Sequence, residues 1–315
     1  MESNNHSLTK SITQYHLNDT CILGLRITLL VFHMINTLLH GIGTYILVKI
    51  VRQRDARPQH VFLLGLSTSE LTMNVLEATR MITKILPNAV TTFGKYIKMI
   101  NFSGTWLVVY LMMVYITIDR LLLISMKVRY NKVLSRQRAI SVFSVTWVAG
   151  GIFAFSTVMS HVFLDFDWKD AYFKYFFSVA DTLFIILAVI TYQYILWKLK
   201  RSDKRLAVVD REVASKDQDH LQLDKRGRTP RANTSRLWKF YGTTIFLVLT
   251  FIVFLIIPDL TYLFYGILAQ KKSDALFYAC SLSYAFANFT DVIIYLYMQP
   301  RVRKEVRKIY RKNDV

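Results

Sequence analysis

Ionisable side chains interrupt several long apolar stretches of the sequence, where a charge is costly unless it is paired or functional. Glu70 and Glu77 are seven residues apart and share one helix face, and Arg80 follows Glu77 by three residues. Two interpretations stay open for Glu77 and Arg80: mutual neutralisation, or part of a binding pocket. The ionisable residues inside these stretches are Glu70, Glu77, Arg80, Asp119, Asp181, Asp259 and Asp291.

A charged pair and a proline mark two other stretches. Asp119 and Arg120 end one stretch, where an ordinary interfacial pair with an extended Arg side chain is one interpretation. Pro258 is the only proline deep inside any stretch, and Asp259 follows it. Because proline lacks the N–H of a helical hydrogen bond, Pro258 predicts a kink, either a fixed bend or a hinge.

The elements that position these residues are predicted to be membrane helices. The chain has 315 residues, of which 53% are hydrophobic and 19% charged, against about 25% charged in soluble domains. A membrane-spanning helix needs about 20 mostly apolar residues. Seven blocks qualify, which predicts an all-α seven-transmembrane bundle: Ile22–Val51, Val61–Leu86, Ile97–Ser125, Ala139–Val162, Tyr172–Leu199, Leu237–Leu268 and Ala275–Gln299.

The remaining residues divide into tails and one long connection. We predict an extracellular tail over residues 1–21, a transmembrane domain over 22–299 and a long intracellular loop over 201–236. Residues 300–315 are predicted to be a cytoplasmic tail that begins with an amphipathic helix, because apolar residues recur at 302, 306, 309 and 310 among basic ones.

The basic residues predict the orientation. The net charge of +19 would also suit nucleic acid, but 30 of the 40 Lys and Arg residues fall in segments that are inner if the N-terminus is outside. The positive charge then faces the lipid of the cytoplasmic leaflet, and no basic domain remains to bind nucleic acid. Asn5 and Asn18 begin glycosylation triplets in the outer tail. We therefore expect a plasma-membrane glycoprotein with an extracellular N-terminus and a cytoplasmic C-terminus.

Two other protein classes fit parts of the sequence less well. A proton- or ion-coupled transporter of small solutes would explain the intramembrane acids, although the seven blocks do not split into two inverted halves. An enzyme is disfavoured, because the seven His residues lack metal-ligand spacing and no hydrolase motif occurs. The transporter stays as the alternative function.

Taken in chain order, five motifs resemble the rhodopsin-like (class A) G-protein-coupled receptors. They are Leu66-Ser67-Thr68-Ser69-Glu70 in the second block, Asp119-Arg120-Leu121 ending the third, Trp147 placed 27 residues after Arg120, Pro258 in the sixth, and Asp291-Val292-Ile293-Ile294-Tyr295 in the seventh.

Several family residues are replaced in this sequence, which indicates a divergent member. Ile42-Gly43-Thr44 stand near the place of the first-helix Asn, the fifth-helix Pro is absent, Ile256 and Val292 replace Trp and Pro, and the outer disulfide has no cysteines.

The resemblance implies a receptor that passes an extracellular ligand signal to heterotrimeric G proteins when the sixth helix moves outward. The implied switch residues are Asp119, Arg120, Tyr192, Tyr194, Pro258, Asp291 and Tyr295. It also implies a sodium or proton site between Glu70 and Asp291, and no other cofactor or metal is expected. Two buried carboxylates cannot easily both be ionised, so a proton or a cation should lie between them.

The ligand pocket implied by the resemblance lies in the outer half of the bundle. Its expected residues are Glu77, Arg80, Phe102, Trp106, Asp181, Asp259 and Tyr262. Phe102 stands where amine receptors carry Asp, and Ala285 where opsins carry the retinal Lys, so neither class is favoured. The three acids would suit a cationic or peptide ligand. Cys21 and Cys280 both fall near the outer face, either as a disulfide or as two free thiols.

Overall fold

The computed structural model describes residues 2–86, 91–126, 129–164, 179–180, 182–194, 197–198, 201, 242, 245–268 and 274–312. Within these ranges the secondary structure is helical and no strand occurs. The helices are α1 (Glu2–Arg52), α2 (Pro58–Ile85), α3 (Thr91–Ile100 and Trp106–Met126, joined by the π-helical Asn101–Thr105), a short turn of helix (Tyr130–Val133), α4 (Arg136–Leu164), α5 (Thr182–Tyr194), α6 (residues 245–251, the π-helical Ile252–Ile256, and Ile257–Leu268), α7 (Asp274–Met298) and α8 (Pro300–Lys312).

The seven helices α1–α7 overlap the seven predicted blocks in order. Four are long and apolar enough to cross a membrane, over Cys21–Arg52, Thr92–Leu123, Arg136–Phe163 and Tyr278–Met298. Two shorter apolar helices cover Thr182–Tyr194 and Ile245–Thr261. The helix α2 is less apolar because Glu70, Glu77 and Arg80 lie on it. The prediction of an all-α membrane bundle is confirmed.

Large apolar side chains cover the outside of the bundle. On α4, Val145, Val148, Ile152 and Phe155 are each at least 62% exposed. A soluble monomer rarely presents such a continuous apolar face to water. These side chains therefore lie where lipid chains would contact the bundle, while the core is filled by residues such as Leu66, Met112, Leu247 and Val292.

The first helix is longer than the sequence predicts. The structure continues α1 back to Glu2, although its membrane-length apolar part covers only Cys21–Arg52. The polarity of residues 1–21 predicts a tail there instead. No Pro or Gly occurs before Gly24, so nothing in this segment breaks a helix that has already begun.

The helices α3 and α4 approach closely at two glycines. A Cβ placed on Gly104 would lie 2.8 Å from Ala154 Cβ, and one on Gly150 would lie 2.6 Å from Val108 Cγ2. Neither distance is sterically tolerable, so both positions require the absence of a side chain. This crossing fixes the part of α3 that contains its π-helical turn.

We expect Gly150→Ala to destabilise the bundle by about 1–3 kcal/mol, because the added methyl group overpacks the α3–α4 crossing. Gly151→Ala is the matched control, since a Cβ at Gly151 meets nothing within 4 Å. Alanine should be neutral there, or stabilising by up to about 1 kcal/mol through its helix propensity. Thermal unfolding of the two purified variants measures the difference. Equal melting temperatures would show that the crossing is not tight.

The predicted irregularity at Pro258 is present in α6, where a π-helical turn, Ile252–Ile256, directly precedes it. The carbonyl of Phe254, four residues before the proline, cannot bond to an N–H at position 258. Ser283 Oγ of α7 donates to this carbonyl at 2.9 Å instead. The Cys280 thiol donates to the carbonyl of Pro258 itself at 3.5 Å. Two side chains of α7 therefore bind the irregular part of α6.

The amphipathic helix α8 packs beneath α1 and α7. Val302 is fully buried, and Val306 packs against the same core. Arg301 Nη2 forms an ion pair with Asp55 Oδ2 at 2.7 Å, which joins α8 to the turn after α1. Lys308 Nζ donates to Glu305 Oε1 at 2.7 Å and lowers the pKa of Glu305. The helical spacing that predicted α8 is thus confirmed by its buried face.

Candidate functional site

Two stripes of polar residues face each other in the middle of the bundle. On α1 they are His33, Asn36, His40 and Thr44, and on α2 they are Ser67, Glu70, Asn74 and Glu77. Steps of three and four residues place each stripe on one helix face. His33 Nδ1 lies 2.8 Å from Asn74 Oδ1, and Asn36 Nδ2 donates to the carbonyl of Ala285 at 2.7 Å. The stripes form one polar band that also contacts α7.

The centre of this band contains the two predicted carboxyl groups. Glu70 is 1% exposed and Asp291 is 2% exposed, and their side chains lie within hydrogen-bonding reach of each other. Carboxylates only accept hydrogen bonds, so this contact needs a proton on one of them. Within the described residues, Glu70 Oε2 and Asp291 Oδ1 have no hydrogen-bond partner. The sequence prediction that these two residues meet is consistent with the structure.

A buried histidine adjoins the carboxyl groups. His40 Nδ1 lies 3.4 Å from Glu70 Oε2, and its Nε2 lies 2.9 Å from the carbonyl of Asn288. Sequence reasoning missed His40 because it sought metal-ligand spacing among all seven His residues. The polar stripe on α1, which is otherwise apolar, is the signal that would have found it.

Tyr295 lies at the inner end of the same polar band. Its hydroxyl lies 2.8 Å from Ser67 Oγ and 3.3 Å from His40 Nδ1, and the whole residue is buried. A Cβ on Gly43 would lie 2.5 Å from this hydroxyl, so a glycine is required where the tyrosine crosses α1. Ser67 also lies 3.0 Å from Thr44 Oγ1. The residues around Gly43 therefore accommodate Tyr295.

The outer end of the band is a buried ion pair. Arg80 Nε donates to Glu77 Oε2 at 2.7 Å, and Asn101 Nδ2 donates to Glu77 Oε1 at 2.8 Å. Arg80 is 3% exposed and Glu77 is 8% exposed. Asn101 begins the π-helical turn of α3. The spacing-based pairing of Glu77 with Arg80 is present, and α3 adds a third member that the spacing could not reveal.

A second charged cluster lies at the other end of the bundle. Arg120 Nε lies 3.7 Å from Asp119 Oδ2, and both residues are at most 2% exposed. Arg120 Nη2 donates to Gln59 Oε1 of α2, and the Tyr130 hydroxyl donates to Asp119 Oδ1. Burial and the neighbouring carboxylate raise the pKa of Tyr130, so its hydroxyl stays protonated and can donate. This end is a closed, buried network rather than an exposed interfacial pair.

A comparison with known protein families decides the class of protein. The family described as 7 transmembrane receptor (rhodopsin family) matches residues 43–295, about four fifths of the chain. The chain belongs to the rhodopsin family of seven-transmembrane receptors. No curated protein matches the chain significantly. The protein is therefore a multi-pass membrane receptor, which fits the expectation that it is not an enzyme.

Three of the predicted pocket residues of the receptor, Phe102, Trp106 and Asp259, are linked by contacts that run through Tyr284. The Phe102 and Trp106 rings stack with centroids 6.2 Å apart, and the Trp106 and Tyr284 rings meet edge to face with centroids 5.4 Å apart. The Tyr284 hydroxyl donates to Asp259 Oδ1. An aromatic row therefore leads from α3 to the acid on α6, and Asp259 already has a donor. Two further predicted pocket residues, Asp181 and the side chain of Tyr262, lie outside the described residues.

The remaining predicted residues of the receptor lie apart from the polar band. Tyr192 of α5 is partly buried, and its hydroxyl has no hydrogen-bond partner within the described residues. Tyr194 accepts a hydrogen bond from Lys198 Nζ at 3.0 Å.

Cys21 is exposed and Cys280 is buried, and both are free, so the predicted disulfide alternative is wrong for this structure. The Asn5 and Asn18 side chains lie outside the described residues.

Proposed function

We propose that this receptor lies in the plasma membrane, with its N-terminus outside, and passes an extracellular ligand signal to heterotrimeric G proteins. The single observation that carries the proposal is the buried Asp119–Arg120 network with Gln59 and Tyr130. A buried arginine at the end of a membrane helix needs partners, and Asp119 and Gln59 supply them here. Opening the inner end of the bundle would free Arg120 to bind another protein. The bias of Lys and Arg towards the predicted inner segments supports the orientation.

The proposed activation step opens the inner end of the bundle. Outward movement of α6 would part α6 from α3, so that Arg120 would exchange Gln59 and Asp119 for the G protein and for Tyr192 or Tyr194. The π-helical turn before Pro258 supports a hinge there, because its backbone bonding already departs from that of a regular helix. A ligand shifts this equilibrium only if it binds the two conformations with different affinity.

The proposed ion-sensitive site lies between Glu70 and Asp291. Their two carboxyl oxygens without partners in the described residues fit a hard cation such as sodium, which prefers oxygen ligands. The His40 imidazole 3.4 Å away supports a proton equally well. A sodium ion would supply positive charge between the carboxylates, and Glu70 and Asp291 would hold it. The proposed ligand pocket lies farther out and comprises Glu77, Arg80, Phe102, Trp106, Asp181, Asp259 and Tyr262.

The proposed domain division keeps the sequence boundaries. Residues 22–299 would form the membrane domain, the 201–236 loop would lie inside, and residues 300–315 would form a cytoplasmic amphipathic helix and tail. The outer 1–21 segment would contain the glycosylated Asn5 and Asn18. The structure of 202–236 lies outside the described residues.

We expect Tyr130→Phe to raise basal G-protein activation about tenfold, because it removes a hydrogen bond to a buried carboxylate that stabilises the closed network. Arg120→Ala should abolish activation by any agonist. A G-protein dissociation assay in cells, normalised to surface expression, measures both. Tyr115→Phe is the control for loss of a phenol, since the Tyr115 and Phe62 rings stack with centroids 5.8 Å apart, whereas Asp119 forms an ion pair with Arg120 and a hydrogen bond with Tyr130.

Two results would count against this proposal. Unchanged basal activity in Tyr130→Phe would show that the Asp119 network does not hold the closed conformation. Solute uptake by cells that express the protein, with no G-protein response from wild type, would favour the transporter.

A further inference from the structure

The carbonyl of Phe254 is the backbone group that Pro258 deprives of its regular helical partner. Within a membrane such a group gains from another donor, because no water is available in the hydrocarbon. Ser283 Oγ of α7 supplies a hydrogen bond to this carbonyl at 2.9 Å. Phe254 belongs to the π-helical turn Ile252–Ile256, so the contact holds the irregular part of α6 directly.

Two other side chains of α7 bind α6 on the outer side of this turn. The Cys280 thiol donates to the carbonyl of Pro258 at 3.5 Å, and the Tyr284 hydroxyl donates to Asp259 Oδ1. The outer segment of α6 is thus held to α7 at two consecutive residues. A hinge at Pro258 would leave this segment in place and move the inner segment, residues 245–254, relative to α7.

Of these three hydrogen bonds, the one from Ser283 crosses the hinge. Phe254 lies four residues inward of Pro258, which is about 6 Å along the helix axis at about 1.5 Å per residue. A tilt of about 20° at the proline would displace the Phe254 carbonyl by about 2 Å, more than a hydrogen bond tolerates. The bond therefore forms only when the inner segment of α6 lies close to α7.

A ring contact accompanies this bond but depends less on the position of the inner segment. The Phe254 and Phe286 rings meet edge to face with centroids 5.2 Å apart. Apolar contact is non-directional, so the two rings can slide past each other and stay packed. A hydrogen bond is lost once its donor and acceptor are more than about 3.5 Å apart. Ser283 therefore distinguishes the two positions of the inner segment more sharply than the rings do.

We propose that Ser283 is a positioning residue that restrains the hinge of α6 in the closed conformation. The inference rests on the proposed function, because it names a contact that opposes the α6 movement proposed there. In the closed conformation the hydroxyl holds the inner segment of α6 against α7, and opening breaks this bond. Without the hydroxyl, the closed conformation loses the bond and the open conformation loses nothing, so the equilibrium shifts towards opening.

Two matched pairs of receptors test this role: wild type against Ser283→Ala, and Ser283→Thr against Ser283→Val. The members of each pair are close in size and differ in the hydroxyl. One hydrogen bond between neutral groups shifts an equilibrium by about fivefold, so the member without the hydroxyl should populate the open conformation about fivefold more. Basal G-protein activation, normalised to surface expression, should rise by the same factor. Cys280→Ala removes a bond on the outer side of the hinge and should leave both quantities unchanged.

The open population is measured without any G protein, by double electron–electron resonance on the purified full-length receptor in nanodiscs. The nitroxide labels are attached at Ser141→Cys on α4 and Phe246→Cys on α6, whose side chains are exposed towards the inner ends of the two helices. Cys21→Ser in the same chain removes the exposed native thiol. A longer distance between the labels marks the open conformation.

Pro258→Ala provides a readout that a serine with a merely structural role would not change. Alanine restores an N–H at position 258 that can bond to the carbonyl of Phe254, so the hydroxyl of Ser283 should lose its effect. The melting temperature of Ser283→Thr should exceed that of Ser283→Val in the receptor that keeps Pro258. This difference should shrink when both variants also carry Pro258→Ala.

Three outcomes would overturn the inference. The first is equal label distances within both matched pairs, whatever the melting temperatures. The second is an open population in Cys280→Ala as large as in Ser283→Ala, since the restraint would then not depend on crossing the hinge. The third is a melting-temperature difference that persists undiminished with Pro258→Ala. A larger open population in Ser283→Ala, with no G-protein activation by any receptor including wild type, would support the inference and refute only the proposed function.

Discussion

Glu77→Gln should be the most destabilising single change in the outer half of the receptor, at about 3–5 kcal/mol. The substitution keeps the size of the side chain but leaves the charge of Arg80 buried without a counterion. It also removes a charged acceptor from Asn101. A lowered melting temperature of the purified receptor measures this effect.

The matched control for this prediction is the double variant Glu77→Gln, Arg80→Gln. Removing both charges avoids the uncompensated ion, so most of the lost stability should return. If the single and double variants were equally unstable, the pair would matter for packing rather than for charge. If neither lost stability, the band would be hydrated enough to solvate Arg80 alone.

The second large effect concerns Glu70 and Asp291. At a pH high enough to remove the shared proton, both carboxylates are charged and repel each other. In that range we expect wild-type stability to rise when sodium is added or when pH falls, because each change removes this repulsion. At 4 Å that repulsion is about 4 kcal/mol for an effective dielectric constant of 20. In the double variant Glu70→Gln, Asp291→Asn, both dependences should disappear.

Melting curves across sodium concentration and pH test this prediction. Asp259→Asn is the control for loss of one membrane acid, since Asp259 contacts Tyr284 rather than another carboxyl group. His40 and Tyr295 are the other titratable groups that face the pair, so His40→Gln should be measured alongside. If the melting temperature of the double variant depended on sodium and on pH as that of wild type does, the proposed site would be wrong.

The sequence predicts best what depends on local chemistry. Long apolar blocks identify the seven helices, because the hydropathy of each block is a property of neighbouring residues alone. The same holds for α8, whose apolar positions at helical spacing include the buried Val302. The pairing of Glu77 with Arg80 follows from a three-residue step.

Contacts between distant segments are harder to predict. Asn101 contacts Glu77 from another helix, and it lies in a π-helical turn that hydropathy and residue spacing do not predict. The contact of Ser283 with the carbonyl of Phe254 likewise depends on how α6 and α7 pack. His40 was missed because a single polar residue gains meaning only when its neighbours on the same helix face are read with it.

The expected ligand class also depends on contacts that the sequence does not reveal. Counting acids in the outer half suggested a cationic ligand, because each acid was considered alone. The structure pairs Glu77 with Arg80, so the charge of Glu77 is balanced, whereas Asp259 accepts a hydrogen bond from the neutral Tyr284 hydroxyl. Net charge at a site can be counted only after its internal pairs are known.

The exposed thiol of Cys21 gives the receptor a built-in attachment point. The chain has two cysteines, and Cys280 is buried against the carbonyl of Pro258. A membrane-impermeant maleimide dye applied to intact cells should therefore react at one position without any engineering. Because Cys21 begins the apolar part of α1, such labelling would report directly which side of the cell surface that end of the helix faces.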